Sequence, residues 1–325
     1  MKVFVAGASG AIGRPLVPRL VEAGHRVAGA TRSAERAEEI RAMGADGVVV
    51  DVFDGHALRA VMAEVAPEVV VHELTSLPER FEPRRKDLYD ATNRVRGEGT
   101  RNLIEAAHAA GARRFVCQSI AFSYTPRDGR PARGRGPDRA GETPLHDEDD
   151  PLFVDAPSPF GQAARVVADM ERAVLSADGM EGLVLRYGWF YGPATYYAND
   201  GAMAADVRRR RFPVVGEGSG VFSFIHVDDA AAATVAAVER GAPGIYNVVD
   251  DDPAPMREWL PAYARAIGAK PPRRVPLWLA RLIAGGFVAT MSTTLGGASN
   301  AKAKRELDWA PRWTSWREGF RDAPR

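Results

Sequence analysis

The first two dozen residues pair a short apolar run with an amphipathic helix. The run at residues 3–6 predicts a buried strand, and apolar residues at helical spacing follow until Gly24. Between these two elements, Gly7, Gly10 and Gly13 stand three residues apart. A strand, a glycine turn and a helix in this order are typical of the nucleotide-binding unit that opens a parallel sheet.

The same alternation of strands and helices continues to about residue 186. Short apolar runs predict strands at residues 26–30, 48–52, 68–72, 113–119 and 183–186. Helical spacing of apolar residues predicts helices at residues 33–43, which Ser33 caps, 85–110 and 160–176. Strands and helices that alternate through short links predict an α/β fold, a doubly wound parallel sheet of the Rossmann type.

Beyond residue 186 the pattern is less regular, which predicts a second and smaller lobe. We expect a dinucleotide-binding domain over residues 1–182, joined by 183–192 and 225–249, and a C-terminal substrate lobe made mainly of 193–325. The two regions are therefore interleaved along the chain. The apolar stretch 277–291 predicts a core helix or a helix at a subunit contact, because Arg281 and two glycines interrupt it.

Residues 125–158 interrupt the alternation and are rich in Pro, Gly, Arg and Asp. The acidic run 147–150 is open to two interpretations, a metal site or a solvated loop. We favour the solvated loop, because the run lacks the spacing of a defined coordination shell. The six histidines show no paired metal-ligand spacing either, so no metal is expected.

Composition narrows the possible partners. The 325 residues are 46% hydrophobic and carry a net charge of +1, which favours neither nucleic acid nor an anionic membrane. No apolar stretch reaches the length of about 18 residues that a transmembrane helix needs. With a single cysteine, Cys117, and no signal peptide before the first strand, a reducing, cytoplasmic location is expected. A small molecule is the expected partner.

The glycine turn has the residues that a dinucleotide pyrophosphate needs. Glycine allows a sharp turn, leaves backbone N–H groups open to the phosphates and lets the helix pack closely on its strand. The helix N-terminus adds unpaired N–H groups and a partial positive charge. The predicted pyrophosphate loop consists of Gly7, Ser9, Gly10, Ala11, Ile12 and Gly13.

The second strand ends in Ala-Thr-Arg, without the acidic residue that would bind the ribose 2′-hydroxyl of NAD. Arg32 can instead pair with a 2′-phosphate, with Arg14 as a helper, and a solvated arginine is the alternative. NADP(H) is therefore predicted in preference to NAD(H). Asp51 and Val52 are expected at the adenine, and Glu73, Leu74 and Thr75, at the exit of the fourth strand, are expected under the cofactor.

Aromatic residues crowd between positions 189 and 224. Single aromatic residues usually pack in a core, but a cluster on loops at the carboxyl edge of a parallel sheet can line a pocket. The sequence leaves these two alternatives open. On the second interpretation, the substrate pocket contains Phe160, Trp189, Phe190, Tyr191 and Phe222.

Together these motifs resemble the extended short-chain dehydrogenase/reductase family, of the NAD-dependent epimerase/dehydratase type. They are the glycine turn, the stretch 93–107, which is similar to a helix whose asparagine bridges backbone near the active site, and the runs 185–193, 224–229, 245–248 and 306–311. The resemblance implies a Rossmann fold, a nicotinamide cofactor and a homodimer. It also implies that the nicotinamide end lies near Asn93, Tyr187, Gly188 and Trp189.

The residues that carry catalysis in this family have no counterparts here. Its Tyr-x-x-x-Lys pair, in which tyrosine is the general acid/base, falls on Phe160 and Ala164. Its Ser/Thr partner falls on Ile120, with Ser119 one residue before. The arginine with which sugar-nucleotide members grip the diphosphate falls on Phe222, which argues for a substrate that is not a nucleotide sugar.

Three functions remain open. The favoured one is an atypical NADP(H)-dependent oxidoreductase of a small, partly apolar or aromatic substrate, with Tyr124 as proton donor and Ser119 bonding a substrate carbonyl. A second is a non-redox cyclase, isomerase or dehydratase that works by positioning alone. A third is a non-enzymatic NADP(H) sensor, and the fold itself does not choose among the three.

Overall fold

A parallel sheet with helices on both faces forms the centre of the protein. The computed structural model describes residues 1–80, 82, 85, 87–126 and 145–322. The strands are β1 (Lys2–Ala6), β2 (Arg26–Thr31), β3 (Asp46–Val49), β4 (Val69–His72), β5 (Arg114–Ile120), β6 (Glu181–Tyr187), β7 (Trp189–Tyr191), β8 (Val214–Val215), β9 (Val221–Phe222), β10 (Phe224–His226), β11 (Gly244–Val248), β12 (Ala254–Pro255) and β13 (Arg274–Val275).

Within the described residues, seven of these strands form one sheet in the order β11-β6-β5-β4-β1-β2-β3. All the pairings in this sheet are parallel. The strand order reverses between β1 and β4, which leaves a crevice at their carboxyl ends where ligands bind in such folds. The predicted doubly wound sheet is therefore confirmed.

Helices cover both faces of the sheet. They are α1 (Gly13–Glu22), α2 (Ala34–Ala42), α3 (Gly55–Val65), α4 (Asp90–Arg94), a π segment (Val95–Gly99), α5 (Thr100–Ala109), α6 (Phe160–Leu175), α7 (Ala202–Arg208), α8 (Val227–Glu239), α9 (Met256–Ala266), α10 (Leu277–Ala284), α11 (Gly286–Thr294), α12 (Ala301–Glu306) and α13 (Trp316–Asp322). The predicted cap of α2 is confirmed, because Ser33 Oγ accepts a hydrogen bond from Arg36 N at 3.3 Å.

Alternate residues of each central strand face two different apolar cores, because strand side chains alternate between the faces of a sheet. Val3 and Val5 of β1 pack with α1 and α8, whereas Phe4 packs with α3, α5 and α6. A third core, around Phe224 and Trp259, is built from residues beyond 190. The C-terminal part of the chain thus has an apolar core of its own, and the boundary of its lobe stays a prediction.

The third strand is shorter than predicted and lies earlier in the chain. It spans Asp46–Val49, and the apolar residues that follow it belong to a turn. Val50 and Val52 are nevertheless buried against the core under α3 and α5, and Asn102 Nδ2 donates to Val52 O at 2.8 Å. An apolar run that continues into a buried turn looks like a longer strand in the sequence, which explains the wrong boundary.

The long helix predicted over 85–110 begins at Asp90 and changes its winding partway. Its central five residues, Val95–Gly99, form a π turn between α4 and α5. A π turn places one extra residue in the helix, and such turns are frequent at functional sites. The extra residue is not visible in the spacing of apolar residues, because the helix has buried residues both before and after the π turn.

The apolar stretch 277–291 forms two helices and not one. Gly285 has a φ of +89° and separates α10 from α11. Trp278 and Leu282 of α10 are 67% and 69% exposed, so α10 is not a core helix. Within the described residues, no helix is both long and apolar enough to cross a bilayer.

The acidic run 147–150 is packed against the sheet, contrary to the prediction of a solvated loop. His146 Nδ1 lies 2.9 Å from Asp150 Oδ2, and the His146 ring stacks on Tyr124 with ring centres 4.8 Å apart. Glu148 Oε1 accepts a hydrogen bond from Asn247 N at 2.8 Å. Among the described residues, no cluster of three or more His, Cys, Asp or Glu is arranged to hold a metal. Residues 127–144 of the predicted loop lie outside the described residues.

Candidate cofactor and substrate site

The glycine turn forms an open cradle at the N-terminus of α1. Gly7 has a φ of +98°, and a side chain there would lie 2.8 Å from the carbonyl carbon of Glu73. A side chain at Gly13 would collide with Gly7 O, whereas one at Gly10 would touch only Gly7 O, at 3.2 Å, and otherwise point into open space. This open space at a helix N-terminus fits a pyrophosphate. Ser9 and Ala11 are half-buried between the glycines, and Ile12 packs in the core with α1.

An arginine without a partner stands at the end of β2. Arg32 is exposed and makes no hydrogen bond or ion pair anywhere in the described part of the chain. Arg14, in contrast, pairs with Glu39 on the surface, with 3.3 Å between Nη2 and Oε2. Arg32 is therefore available to an anion, and Arg14 is already engaged.

The turns that follow β3 and β4 lie at the same edge of the sheet as the cradle, because parallel strands bring their carboxyl ends together. Asp51 Oδ1 accepts a hydrogen bond from Phe53 N at 2.9 Å and shapes the turn that contains Val52. After β4, Leu74 is half-buried and Thr75 is exposed. The residues predicted at the adenine and under the cofactor are thus brought to one edge.

Glu73 is a buried acid directly beside the cradle. Its Oε1 lies 3.1 Å from Tyr187 Oη, which lies 2.6 Å from Thr234 Oγ1, and Thr234 Oγ1 donates to Ala230 O at 2.8 Å. Tyr187 Oη is the donor to Glu73 Oε1, and Glu73 Oε2 is buried with no hydrogen-bond partner among the described residues. Burial raises the pKa of Glu73 to about 8. Glu73 is therefore a neutral acid at neutral pH.

Ser119 and Tyr124, predicted as catalytic, belong to one buried hydrogen-bonded network. Ser119 Oγ donates to Glu171 Oε1 at 2.6 Å, and Arg186 binds both oxygens of Glu171 at 2.8 and 2.6 Å. Tyr124 Oη donates to Asn247 Oδ1 at 2.6 Å and accepts a bond from Arg186 Nη1 at 3.0 Å. Burial raises the pKa of Tyr124 well above its ordinary value. Both hydroxyls are thus held by protein partners, and their catalytic role stays a prediction.

The three positions that carry catalysis in the family resemblance are apolar and buried. Phe160 and Ala164 lie on the first turns of α6 and pack with Tyr89, and Ile120 ends β5. None of these three side chains can donate or accept a proton. These three side chains therefore cannot form the proton relay that the resemblance implies at their positions.

The predicted aromatic pocket separates into parts. Trp189 stacks on Phe122, with ring centres 4.1 Å apart and 18° between the planes, and lies 5.6 Å from Phe222. The indole Nε1 of Trp189 is buried and has no partner among the described residues. Phe190 packs with the core under α1 and α8, and Tyr191 packs in the C-terminal core. The structure thus brings Trp189, Tyr191 and Phe222 together in the C-terminal core, where Phe122 joins them, and places Phe190 and Phe160 in other clusters.

The residues predicted at the nicotinamide end lie on different elements. The hydroxyl of Tyr187 forms a hydrogen bond with Glu73, and Gly188 N donates to Val248 O at 3.1 Å. Asn93 lies on α4, and its Oδ1 is buried and unpaired within the described residues. The resemblance implies that an asparagine at this place forms hydrogen bonds with the backbone. The side-chain oxygen of Asn93 is available to accept one.

Sequence reasoning missed Arg96, which lies one turn after Asn93 on the π segment. Arg96 is 8% exposed and makes no hydrogen bond or ion pair in the described part of the chain. Burial lowers the pKa of Arg96 to about 10, so the guanidinium stays charged at neutral pH. The available signal was a second polar residue three positions after Asn93, at a spacing that puts both on one helix face.

Comparisons with known proteins agree with this geometry. Residues 3–248 match the NAD dependent epimerase/dehydratase family. The chain is 48% identical over 323 residues to a 3-diazoavenalumate denitrifying reductase of a Streptomyces species, covering 98% of this chain and 99% of that one. It is 28% identical over 279 residues to a 2-alkyl-3-oxoalkanoate reductase of Stenotrophomonas maltophilia, covering 83% and 76%.

Solved structures show the same fold. The UDP-glucose 4-epimerase of Thermus thermophilus in complex with NAD superposes with a TM-score of 0.70 at 24% identity, over 99% of this chain and 97% of that one. A human epimerase family protein with NADPH gives a TM-score of 0.72 at 20% identity, over 99% of each chain.

Proposed function

Because the chain belongs to the NAD-dependent epimerase/dehydratase family, we propose that it is a reductase that removes the diazo group of an aromatic compound. In this reaction, hydride from NADPH replaces the diazo nitrogen on the ring. The sequence predicts an aromatic substrate that is not a nucleotide. The proposal assigns this substrate to one chemical class, the aromatic diazo compounds. The name of the 48% identical relative, which covers nearly the whole chain, supports this class.

One observation carries the proposal: buried apolar side chains occupy the positions of the proton relay. A carbonyl that accepts hydride becomes an alkoxide and needs a proton from an acid such as the family's tyrosine. Phe160, Ala164 and Ile120 cannot supply that proton. The hydroxyls of Ser119 and Tyr124 donate to Glu171 and Asn247, and the hydroxyl of Tyr187 donates to Glu73. A reaction without proton delivery fits these residues.

Reductive loss of a diazo group is such a reaction. A bound NADPH supplies the hydride and is oxidised to NADP⁺. The hydride forms a C–H bond on the ring of an aryl diazonium ion, the C–N bond breaks, and N₂ departs with the electron pair of that bond. Charge and atoms balance with no proton taken from the protein, so the protein has to bind, orient and exclude water.

Trp189 supports an aromatic substrate. Its ring lies between Phe122 and Phe222 at the carboxyl edge of the sheet and gives this place a flat apolar surface. The unpaired indole N–H can bond one polar atom of a ligand. Phe222 has no group that pairs with a diphosphate, and its ring packs against Trp189 and Trp259.

Arg32 supports NADP(H) as the preferred cofactor. It is exposed and unpaired within the described residues and follows β2, whose end meets the adenosine ribose in folds of this kind. A guanidinium binds a 2′-phosphate through charge-assisted hydrogen bonds and gains little from a 2′-hydroxyl.

The test is turnover of a defined diazo compound. We expect purified protein to convert 4-carboxybenzenediazonium and NADPH to benzoate, N₂ and NADP⁺, with one deuterium on the ring when the NADPH is deuterated at C4. The matched carbonyl compound, 4-carboxybenzaldehyde, should react at least about 100-fold more slowly, because its reduction needs an acid. Chromatography of the product and the absorbance of NADPH measure both reactions.

Two outcomes would contradict the proposal. Comparable turnover of the aldehyde would mean that the protein has a working proton donor. Tight binding of NADPH without oxidation by either compound would favour the sensor or the non-redox enzyme. A reaction without protein measures the background of chemical reduction, which is subtracted.

The homodimer and the cytoplasmic location also stay proposals. Light scattering of the purified protein tests the first, with a mass of about twice 35.1 kDa as the expected result. Cys117, the single cysteine, is fully buried as a free thiol, which fits a reducing compartment.

A further inference from the structure

Two buried guanidinium groups, those of Arg186 and Arg96, lie near one buried carboxylate, that of Glu171. Glu171 binds Arg186 through both oxygens and also accepts the bond from Ser119. Arg186 and Glu171 are 3% and 4% exposed, and Arg96, nearby on the π segment, is 8% exposed. Glu171 acts on Arg96 only from beyond ion-pair distance. Arg186 thus neutralises the negative charge of Glu171, and no carboxylate pairs with Arg96 among the described residues.

The other titratable groups that face Arg96 are neutral. Tyr89 is half-buried and Cys117 is fully buried, and burial raises the pKa of each above its ordinary value. Burial lowers the pKa of His72 to about 4, with a contribution from the charge of Arg96. The cluster therefore has one unmatched positive charge at neutral pH.

An unmatched buried charge is costly, and proteins keep such charges where a ligand supplies the opposite sign. Arg96 lies in a place that suits a ligand, since the π segment packs against α6 near its start. Tyr89, which faces Arg96, also packs on Phe160 and Ala164. Ala164 brings no charge to this place, where the lysine that the resemblance implies would add a second positive one.

We propose that Arg96 binds a negatively charged oxygen of the substrate, a carboxylate or a phenolate on the aromatic compound. This inference rests on the proposed function for the identity of the ligand as a substrate, and it names the charge that the substrate carries. The substrate anion completes the buried cluster, and the guanidinium fixes the ring through charge-assisted hydrogen bonds. Arg96 thereby selects anionic over neutral aromatic compounds.

Binding of unreactive probes tests the inference without any turnover. Cinnamate and methyl cinnamate differ in one negative charge at a carboxyl group, and 4-nitrophenolate and 4-nitroanisole differ in one at a ring oxygen. With NADP⁺ present, calorimetry should show that the wild-type protein binds at least one anion about 10- to 100-fold more tightly than its neutral partner. Arg96→Gln should remove this preference, and Arg96→Lys should retain part of it.

Arg172→Gln is the matched control, because Arg172 is an exposed arginine of α6 paired with Asp169 on the surface. It should leave the preference unchanged. The midpoint of thermal unfolding without ligand separates binding from a structural role. Removal of an unmatched buried charge should leave the Arg96→Gln midpoint equal to that of the wild type or raise it.

The inference is overturned if the wild type binds both members of each probe pair equally, or if Arg96→Gln keeps the wild-type preference. It is also overturned if that variant unfolds at a lower temperature without ligand, because the guanidinium would then be structural. None of these measurements uses a diazo compound. Failure of 4-carboxybenzenediazonium to react, with an Arg96-dependent preference for anions, would reject the proposed function alone.

Discussion

Arg186 binds both carboxylate oxygens of Glu171, at 2.8 and 2.6 Å, and both side chains are almost fully buried. This pair joins the end of β6 to α6. It also determines where Ser119 donates its proton and which group donates to Tyr124. Because removal of one partner would leave a buried charge alone, the pair fixes the carboxyl edge of the sheet.

Tyr124→Phe should therefore affect stability more than turnover. Loss of the phenol hydroxyl removes the partner of Asn247 Oδ1 and one of the partners of Arg186 Nη1, which should lower the free energy of unfolding by about 1–3 kcal/mol. Turnover of the diazo compound should change by less than about threefold. Urea unfolding and steady-state kinetics measure the two effects. A fall in turnover of about 100-fold, with unchanged stability, would instead establish Tyr124 as the proton donor expected from the sequence.

Glu73→Gln should change how stability depends on pH. The pKa of Glu73 is raised by burial to about 8 in the folded protein, so the folded state holds a proton that the unfolded state releases from about pH 4.5 upward. The free energy of unfolding should consequently decrease as pH rises between about 4.5 and 8, by up to about 1.4 kcal/mol per pH unit from this group. Glutamine does not titrate and should remove this contribution.

The Glu73 effect is read from the difference between variant and wild type. Other buried groups titrate as well, and His72 acts in the opposite direction because its folded pKa is lowered to about 4. Urea unfolding at several pH values gives both curves. Parallel curves for the two proteins would mean that Glu73 is ionised when folded, and the assigned proton on Glu73 would be wrong.

Arg32→Ala should weaken NADPH without weakening NADH. Removal of the guanidinium at the end of β2 should raise the Kd of NADPH about 10-fold or more and leave that of NADH within about twofold. Fluorescence titration measures both. Arg14→Ala is the control, since Arg14 pairs with Glu39 and should matter less. An equal loss for the two cofactors would show that Arg32 does not reach the 2′-phosphate.

Gly10→Ala should weaken cofactor binding in a folded protein. The added methyl group would touch Gly7 O at 3.2 Å and otherwise fill the open cradle. We expect the Kd for NADPH to rise at least about 10-fold, with the free energy of unfolding changed by less than about 1 kcal/mol. Gly286→Ala, at a position where a side chain meets nothing within 4 Å, is the control. Unchanged affinity would mean that the pyrophosphate lies elsewhere.

The sequence was sufficient for the features that depend on neighbours along the chain. Strand, glycine turn and helix are local, so the cradle and most of the sheet could be predicted from spacing alone. Residue alternation could also have divided the aromatic run, since Trp189 and Tyr191 leave β7 on the side opposite to Phe190. That argument needed β7 to be a strand, which no pattern of three residues establishes.

The buried network lay beyond the reach of spacing because its members are distant in sequence. Tyr124 and Asn247 are 123 residues apart, and Ser119 and Glu171 are 52 apart. Their contact follows from the order of strands in the sheet, which fixes neighbours that sequence distance does not indicate. For the same reason the sequence predicts Tyr124 as a proton donor and assigns no role to Arg96.

The π segment sets how the helix before it is rotated relative to the helix after it. One residue of an α-helix turns the chain by about 100°, so an inserted residue rotates everything before it relative to everything after it. Deletion of a single residue between Val95 and Gly99 would restore regular winding while Thr100–Ala109 stays packed under the sheet. Asn93 would then turn away from its present side. Insertion or deletion of one residue in this segment would therefore change which residues a related chain presents at this face of the helix, without any change in the core.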